Sequence, residues 1–161
     1  MATINSICLI LLITGFGFIK CQNIVTSECL VCICEATTGC NFNYNCSSNA
    51  AICGPFRITR PYWKGAGSPT IKDESPNSVS AFSHCTSDLY CSIKTVQMFM
   101  KINERDCNGD GIIDCDDFAA IHQLGKYDCT RTLPYYYTTS YSQCRKMLLK
   151  YERVDQSNNY R

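Results

Sequence analysis

Cysteine content constrains the fold of this chain more than any other feature. The sequence has 161 residues and 14 cysteines, of which twelve lie beyond residue 21. These twelve are Cys29, Cys32, Cys34, Cys40, Cys46, Cys53, Cys85, Cys91, Cys107, Cys115, Cys129 and Cys144. An even number of cysteines within one domain is typical of proteins folded in an oxidising compartment, and here it predicts six disulfides. Spacing alone leaves their pairing open, because twelve cysteines allow about ten thousand pairings.

The N-terminal region has the pattern of a secretory signal peptide. Residues 7–19 form an apolar run that has the length of a signal's hydrophobic core and is too short to cross a bilayer. We therefore predict a signal peptide at residues 1–21, cleaved before Gln22, and a secreted, extracellular mature protein. No later segment is long and apolar enough to serve as a membrane anchor.

Length and charge narrow the class of protein further. Residues 22–161 fit a single domain. The formal net charge of +1 gives no reason to expect a nucleic acid as partner, since nucleic-acid-binding domains carry strongly basic faces.

The first half of the mature chain predicts one helix and a small hairpin sheet. Thr26 or Ser27 can cap a helix over residues 28–36, and Gly39 is placed to end it. Phe56, Ile58 and Thr59 alternate in the manner of a short strand. Residues 65–80 are polar and rich in proline and glycine, which predicts a loop.

The second half has helical periodicity. Apolar residues repeat at helical spacing from Asp88 to Met100, which predicts the longest helix of the protein. A second helix is predicted over residues 117–122, ending at Gly125, and a third over residues 140–153. The expected fold is therefore a single disulfide-rich α+β domain, mostly helical with a short β-hairpin sheet.

Several cysteine-anchored motifs in one order resemble the invertebrate-type lysozymes, a family that includes the destabilases. The motifs are CLVCICEATTGC, CGPFRITRPYW, CTSDLYCSIKTVQMFM, DCNGDGIIDCDDFAAIH and GKYDC, and they span roughly residues 27–150. The resemblance implies a lysozyme-like fold with a sugar-binding cleft between a helical part and a hairpin. It also implies bacterial cell-wall glycan, that is peptidoglycan, as the ligand or substrate.

The resemblance further implies where the two catalytic carboxyl groups should lie. Active members carry the acid on the first helix in a pattern like Cys-Ile-Cys-x-x-Glu, and this sequence has Thr37 there. The family's second acid corresponds to Asn49. Glu35 is no obvious substitute, because two residues along a helix amount to about 200° of rotation. No Asp or Glu occurs between Ala36 and Lys72.

Glycosidases of this kind need one protonated and one ionised carboxyl group beside the scissile bond. A threonine hydroxyl cannot be a general acid near neutral pH, because it holds its proton too tightly. We therefore predict a lysozyme homologue that binds peptidoglycan with its muramidase chemistry lost, and a plausible role in antibacterial defence. One alternative is an active lysozyme with displaced acids such as Asp73, Glu74 or Asp88. Another is a non-catalytic extracellular interaction module.

Four residues are candidates for glycan binding. Tyr62 and Trp63 can stack on sugar faces, although core packing is an equally good interpretation of Trp63. His122 can line the cleft, although a lone histidine is more often structural. Arg57 belongs to a run of cations that can attract anionic glycan or peptide carboxylates.

The segment from Asp106 to Asp117 matches part of a calcium-loop template. Oxygen ligands at alternate residues can wrap a hard cation. The candidate ligands are Asp106, Asn108, Asp110, Ile112 and Asp117. Asp117 replaces the longer glutamate of the template, which would weaken affinity, and a metal-free turn rich in Asp and Asn is the alternative. Calcium is thus a possible cofactor, and no other is indicated.

Overall fold

The structure is a computed structural model that describes residues 25–158, with side chains described as far as Tyr151. The predicted signal peptide at residues 1–21 lies outside the described residues. In chain order the elements are α1 (Ser27–Thr38), β1 (Ile52–Cys53), β2 (Ile58–Thr59), α2 (Arg60–Gly65), α3 (Ala81–Ser87), α4 (Leu89–Asn103), α5 (Cys115–Leu124) and α6 (Tyr135–Asn158). This mostly helical α+β fold with a two-stranded sheet confirms the predicted fold class.

Helix α1 lies at the centre of the molecule and packs against α5 and α6. Thr26 caps it by accepting a hydrogen bond from the Cys29 amide at 3.2 Å, and Gly39 ends it with a left-handed φ of 64°. Both boundary signals were predicted, and the helix extends one residue earlier and two residues later than expected. Its buried side includes Leu30 and Ile33, which explains why it is the core helix.

The sheet is a small antiparallel hairpin in which Ile52 pairs with Thr59 and Cys53 pairs with Ile58. Phe56, predicted to be part of the strand, lies instead in the connecting turn, where its ring is buried. Gly54 has a φ of +73°, and a Cβ at that position would lie 1.7 Å from the Thr86 carbonyl oxygen of α3. The hairpin turn is therefore pressed directly against α3.

Two short helices were not predicted. Helix α2 begins immediately after β2, where Thr59 accepts a hydrogen bond from the Tyr62 amide and Pro61 occupies the first turn. Ser80, the residue before helix α3, does not cap it with its side chain, but Phe82 in the first turn is completely buried. Tertiary packing, more than local sequence, therefore stabilises α3.

The helices of the second half differ from prediction in length. Helix α4 begins where expected, with Asp88 accepting a hydrogen bond from the Cys91 amide at 2.8 Å. It has 15 residues, whereas α6 has 24, so the prediction that α4 is the longest helix is wrong. Helix α6 begins at Tyr135 because Pro134 precedes it and Tyr137 is fully buried in its first turns.

All twelve predicted cysteines form disulfides. The pairs are Cys29–Cys115, Cys32–Cys144, Cys34–Cys40, Cys46–Cys53, Cys85–Cys91 and Cys107–Cys129. The first two join α1 to α5 and α6, whereas three others close loops of six or seven residues. Crosslinks that close long loops restrict the unfolded chain most. The two disulfides that join α1 to α5 and α6 should therefore contribute most to stability.

Within residues 25–158, no helix combines the length and the apolar character needed to cross a bilayer.

Candidate functional site

Thr37 lies in the last turn of α1, half-buried. Its hydroxyl donates to the Ile33 carbonyl oxygen at 2.6 Å, a bond within the helix that holds the side chain against its own backbone. The hydroxyl of the buried Tyr137 donates to the Ala119 carbonyl oxygen at 3.3 Å. Burial raises the pKa of Tyr137, and the neighbouring Thr37 hydroxyl offsets only part of the shift. These groups are all neutral near pH 7.

Glu35 is exposed on the surface of α1, whereas its neighbours Cys34 and Ala36 are buried. This exposure agrees with the prediction from helical rotation that Glu35 points away from the face that Thr37 occupies. Its carboxylate lies on a different face of α1 and cannot take the position that Thr37 occupies.

Asn49 lies exposed in the loop that the Cys46–Cys53 disulfide closes. Its side-chain oxygen accepts from the Ser47 hydroxyl at 2.8 Å and from the Ala51 amide at 3.1 Å. The amide group therefore stabilises a local turn, and it carries no charge.

The structure brings Tyr62 and His122 together with the hairpin turn. His122 Nε2 lies 2.9 Å from the Phe56 carbonyl oxygen, and Nδ1 lies 3.2 Å from the Tyr62 hydroxyl. A carbonyl only accepts, so Nε2 carries the proton and Nδ1 accepts from Tyr62. Burial lowers the pKa of His122 to about 4, although the bond to Phe56 opposes this shift. His122 is therefore a neutral link between α5, α2 and the hairpin.

Tyr62 is held from a second side as well. Its ring stacks on Phe99 of α4, with centroids 3.7 Å apart and planes 17° from parallel. The pKa of Tyr62 is well above its usual value. Burial is the larger cause, and the electrostatic effect of the nearby Tyr137 is the smaller one. One ring face is thus occupied, and Tyr62 is only partly buried.

Trp63 does not offer a surface for stacking on a sugar. It is 2% exposed, its indole nitrogen donates to the Pro69 carbonyl at 2.7 Å, and its ring makes an edge contact with Phe82. The alternative stated from the sequence, core packing, is what the structure shows, and the glycan-binding prediction for Trp63 is wrong.

Arg57 is exposed at the hairpin turn, with a left-handed φ of 49°. Its guanidinium donates to the Tyr44 hydroxyl at 3.1 Å and lies 5.6 Å from the centre of that ring. Tyr44 was not among the predicted site residues, because it lies 13 positions away and no spacing pattern links the two. The pair presents a cation and an aromatic ring on one surface.

Two of the three displaced acids, Glu74 and Asp88, have structural partners. Asp88 caps α4 through its bond to the Cys91 amide. Glu74 accepts from the Ser80 hydroxyl at 2.9 Å and from His84 Nδ1 at 3.0 Å. Burial would raise the pKa of Glu74, but the bonds from Ser80 and His84 outweigh it and lower the pKa. A lowered pKa suits an ionised carboxylate and is opposite to what a proton donor needs.

The carboxylates of the predicted calcium loop do not converge. Asp117 is fully buried, and it accepts from the amides of Cys107 at 2.7 Å, Asn108 at 3.3 Å and Asp114 at 2.9 Å. Asp106 accepts from the amides of Gly109 and Gly111 in the same way.

Asp110 accepts from the Ile112 amide at 2.8 Å, and Asn108 accepts from the Asp110 amide at 2.9 Å. Among the described residues, no three His, Cys, Asp or Glu side chains are placed to share a metal ion. The geometry gives the calcium hypothesis no support, because backbone amides hold the candidate carboxylates in local turns where they do not come together.

Comparison with known proteins agrees with the motifs and with the fold. The sequence profile of the family Destabilase matches residues 26–144. The chain is 30% identical to a lysozyme of Magallana gigas, over 75% of this chain and 80% of that protein. It is 32% identical to an invertebrate-type lysozyme of Ruditapes philippinarum, over 70% of this chain and 77% of that protein.

A solved structure has the same fold. The chain aligns with a crystal structure of Meretrix lusoria lysozyme in complex with Aeromonas hydrophila PliI. The TM-score is 0.57 at 27% sequence identity, and the alignment covers 80% of this chain and 93% of that one. Sequence profile, relatives and fold agree, and the chain therefore belongs to the destabilase family of invertebrate-type lysozymes.

Proposed function

We propose that this protein is a secreted invertebrate-type lysozyme homologue that binds bacterial cell-wall glycan and does not cleave it. The observation that carries the proposal is the last turn of α1, where Thr37 bonds to the Ile33 carbonyl and no carboxylate takes the place of the family's acid. A role in antibacterial defence fits such a protein.

Loss of both acids removes both halves of the reaction. Cleavage of a glycosidic bond needs a proton for the leaving oxygen and an anion to attack or stabilise the cationic transition state. Thr37 supplies no proton near neutral pH, and Asn49 supplies no anion. The 37 residues from Ala36 to Lys72 contain no other carboxyl group, so the hairpin region cannot compensate.

Binding has better support than cleavage. Arg57 and Tyr44 are joined on the hairpin surface, and Arg60 and Lys64 follow with exposed cationic side chains. A cationic wall of this kind opposes an oxocarbenium-like transition state but attracts the carboxylates of peptidoglycan. Tyr62 and His122 lock the hairpin to the helices and so keep this surface in a fixed position.

The alternative of an active lysozyme with displaced acids has weaker support, because Asp88 caps a helix and Glu74 is bonded to Ser80 and His84. The alternative of a non-catalytic interaction module makes a different prediction, since such a module need not bind glycan.

Two assays separate the three functions. In co-sedimentation with insoluble peptidoglycan we expect the wild type to bind, Arg57→Gln to bind several-fold more weakly, and the matched control Lys94→Gln on α4 to bind as wild type. In turbidity clearing of bacterial cells we expect no lysis. Lysis at the rate of an active relative would overturn the proposal in favour of displaced acids, and absence of co-sedimentation would overturn it in favour of an interaction module.

Secretion has its own test. Expression of the full chain in an animal cell line should deliver the protein to the medium with Gln22 as its first residue. Retention in the cytosol with Met1 intact would contradict the signal-peptide prediction.

A further inference from the structure

A cavity lies between α5, α6 and the segment that joins them. Its volume is about 630 Å³, within the range of sites for small ligands. It extends along α6 from Thr138 to Leu149 and along α5 from Asp116 to Ala120. The cavity shares no lining residue with the glycan-binding candidates or with the positions of the missing acids.

Three cationic side chains line the cavity: Arg131, Arg145 and Lys146. Arg131 lies 3.9 Å from Asp128, and both side chains are more than half exposed, so solvent screens this pair. In the part of the chain with described side chains, no carboxylate lies within ion-pair distance of Arg145 or Lys146. Arg145 and Lys146 are therefore available to an anion, and the exposed pair with Asp128 leaves Arg131 accessible to one as well.

The two carboxylates that line the cavity are already bonded. Asp117 accepts from three backbone amides and is fully buried. Asp116 accepts from the Tyr141 hydroxyl at 2.7 Å. Burial, and then the bond to Asp116, raises the pKa of Tyr141, so Tyr141 keeps its proton and remains a donor to Asp116. The two carboxylates are thus held by donors within the protein, and the lining carries three positive charges against two negative ones.

The remaining lining is suited to a hydroxylated ligand. Hydroxyl groups come from Thr130, Thr132, Thr138 and Ser142, and an apolar surface comes from residues such as Leu133. The hydroxyls of Thr138 and Ser142 donate to the Pro134 and Thr139 carbonyls, and their oxygens can still accept from the hydroxyls of a sugar ring. Guanidinium and ammonium groups bind carboxylate and phosphate through charge-assisted hydrogen bonds.

We infer that this cavity binds an acidic sugar, with its anionic group held by Arg131, Arg145 and Lys146 and its hydroxyls held by the threonine and serine side chains. The anion is a carboxylate or a phosphate, which the same cations recognise. The inference does not depend on the proposed function, because it uses other residues.

Titration of the purified protein by isothermal calorimetry, with three probes, tests the inference. Trigalacturonate supplies carboxylates, glucose 1,6-bisphosphate supplies phosphates, and maltotriose is a neutral sugar of similar size to the first. We expect saturable binding of at least one anionic probe with a Kd below about 1 mM, weakening with added salt, and none of maltotriose. The stronger of the two anionic probes identifies the ligand's charged group.

Variants locate the site. Arg145→Gln with Lys146→Gln should weaken the better probe by about tenfold or more, whereas Lys94→Gln with Lys101→Gln, which removes two exposed charges from α4, should leave it unchanged. Thr138→Trp adds bulk to the cavity without changing charge and should also weaken binding. Circular dichroism checks that each variant is folded. No binding of either anion, equal binding of maltotriose, or wild-type affinity in a folded Arg145→Gln/Lys146→Gln variant would overturn the inference.

Discussion

The last turn of α1 and the loop before α5 make opposite use of carboxyl groups. Around Thr37 the resemblance to lysozymes predicts acids, and the chain has hydroxyls and amides there. The loop from Asp106 to Asp117 is rich in acids, and backbone amides donate to four of them: Asp106, Asp110, Asp114 and Asp117. Hydrogen-bond partners and position, more than the number of carboxylates, therefore decide whether an acid can do chemistry.

The largest effect should come from restoring acids to the first region. Thr37→Glu together with Asn49→Asp should produce lytic activity at least about 100-fold above the wild-type background, because a positioned general acid alone contributes that much. Turbidity clearing of bacterial cells measures it. Each single variant should remain inactive, since the reaction needs both groups. If the double variant is inactive but has a native circular dichroism spectrum, restoring these two acids is not sufficient for catalysis.

The next largest effect should come from the acid-rich loop between Asp106 and Asp117. Asp117→Asn replaces one oxygen that accepts from buried amides with an amide group, and it should lower the free energy of unfolding by about 2–4 kcal/mol. Asp110→Asn is the matched control, because Asp110 is exposed and should lose less than about 0.5 kcal/mol. Urea unfolding with the disulfides intact measures both. Equal losses would contradict the distinction between a buried anchor and a surface turn.

A third effect tests the link between the hairpin and α5. His122 has a pKa of about 4 in the folded protein, against 6.5 normally. The unfolded chain therefore binds more protons between these values, and the free energy of unfolding should fall by about 2–3 kcal/mol as the pH falls from 6.5 to 4. His122→Gln should lack this component. Chemical unfolding of both proteins across that pH range isolates it, and parallel curves would refute it.

The smallest effect distinguishes two roles of Asp88, the cap of α4 and a catalytic acid. Asp88→Ala should cost about 1 kcal/mol because it removes the cap of α4, whereas Asp88→Asn keeps a good cap and should cost a few tenths. Thermal unfolding measures both. Asp88→Asn can also be added to the Thr37→Glu/Asn49→Asp protein. If the triple variant is as stable but no longer lyses cells, Asp88 takes part in the chemistry.

The elements with explicit boundary signals were predictable from sequence. Helix α1 has Thr26 and Gly39 at its ends, and α4 has Asp88 at its start, so local chemistry marked both. Helix α3 could not be predicted, because seven residues are too few to show a period and the burial of Phe82 comes from tertiary contacts. Helix α2 did carry a signal, Thr59 followed by Pro61, that the strand-like alternation before it obscured.

Site residues were predictable by type more than by role. That Glu35 faces solvent followed from helical rotation alone. Trp63 could not be assigned without the fold, because a core indole and a sugar-stacking indole look the same in sequence. His122 required its partners: its neutral form depends on Phe56 and Tyr62, which lie 66 and 60 positions away.

The disulfide between Cys32 and Cys144 turns most of the chain into a covalent ring, since it spans 112 positions. A protease that nicks one peptide bond anywhere inside that ring leaves the two pieces attached as one molecule. A clipped sample should keep its apparent size on a non-reducing gel and separate into fragments only after a thiol is added. An isolated cut in the polar loop at residues 65–80 would thus leave α1 and α6 tethered to each other.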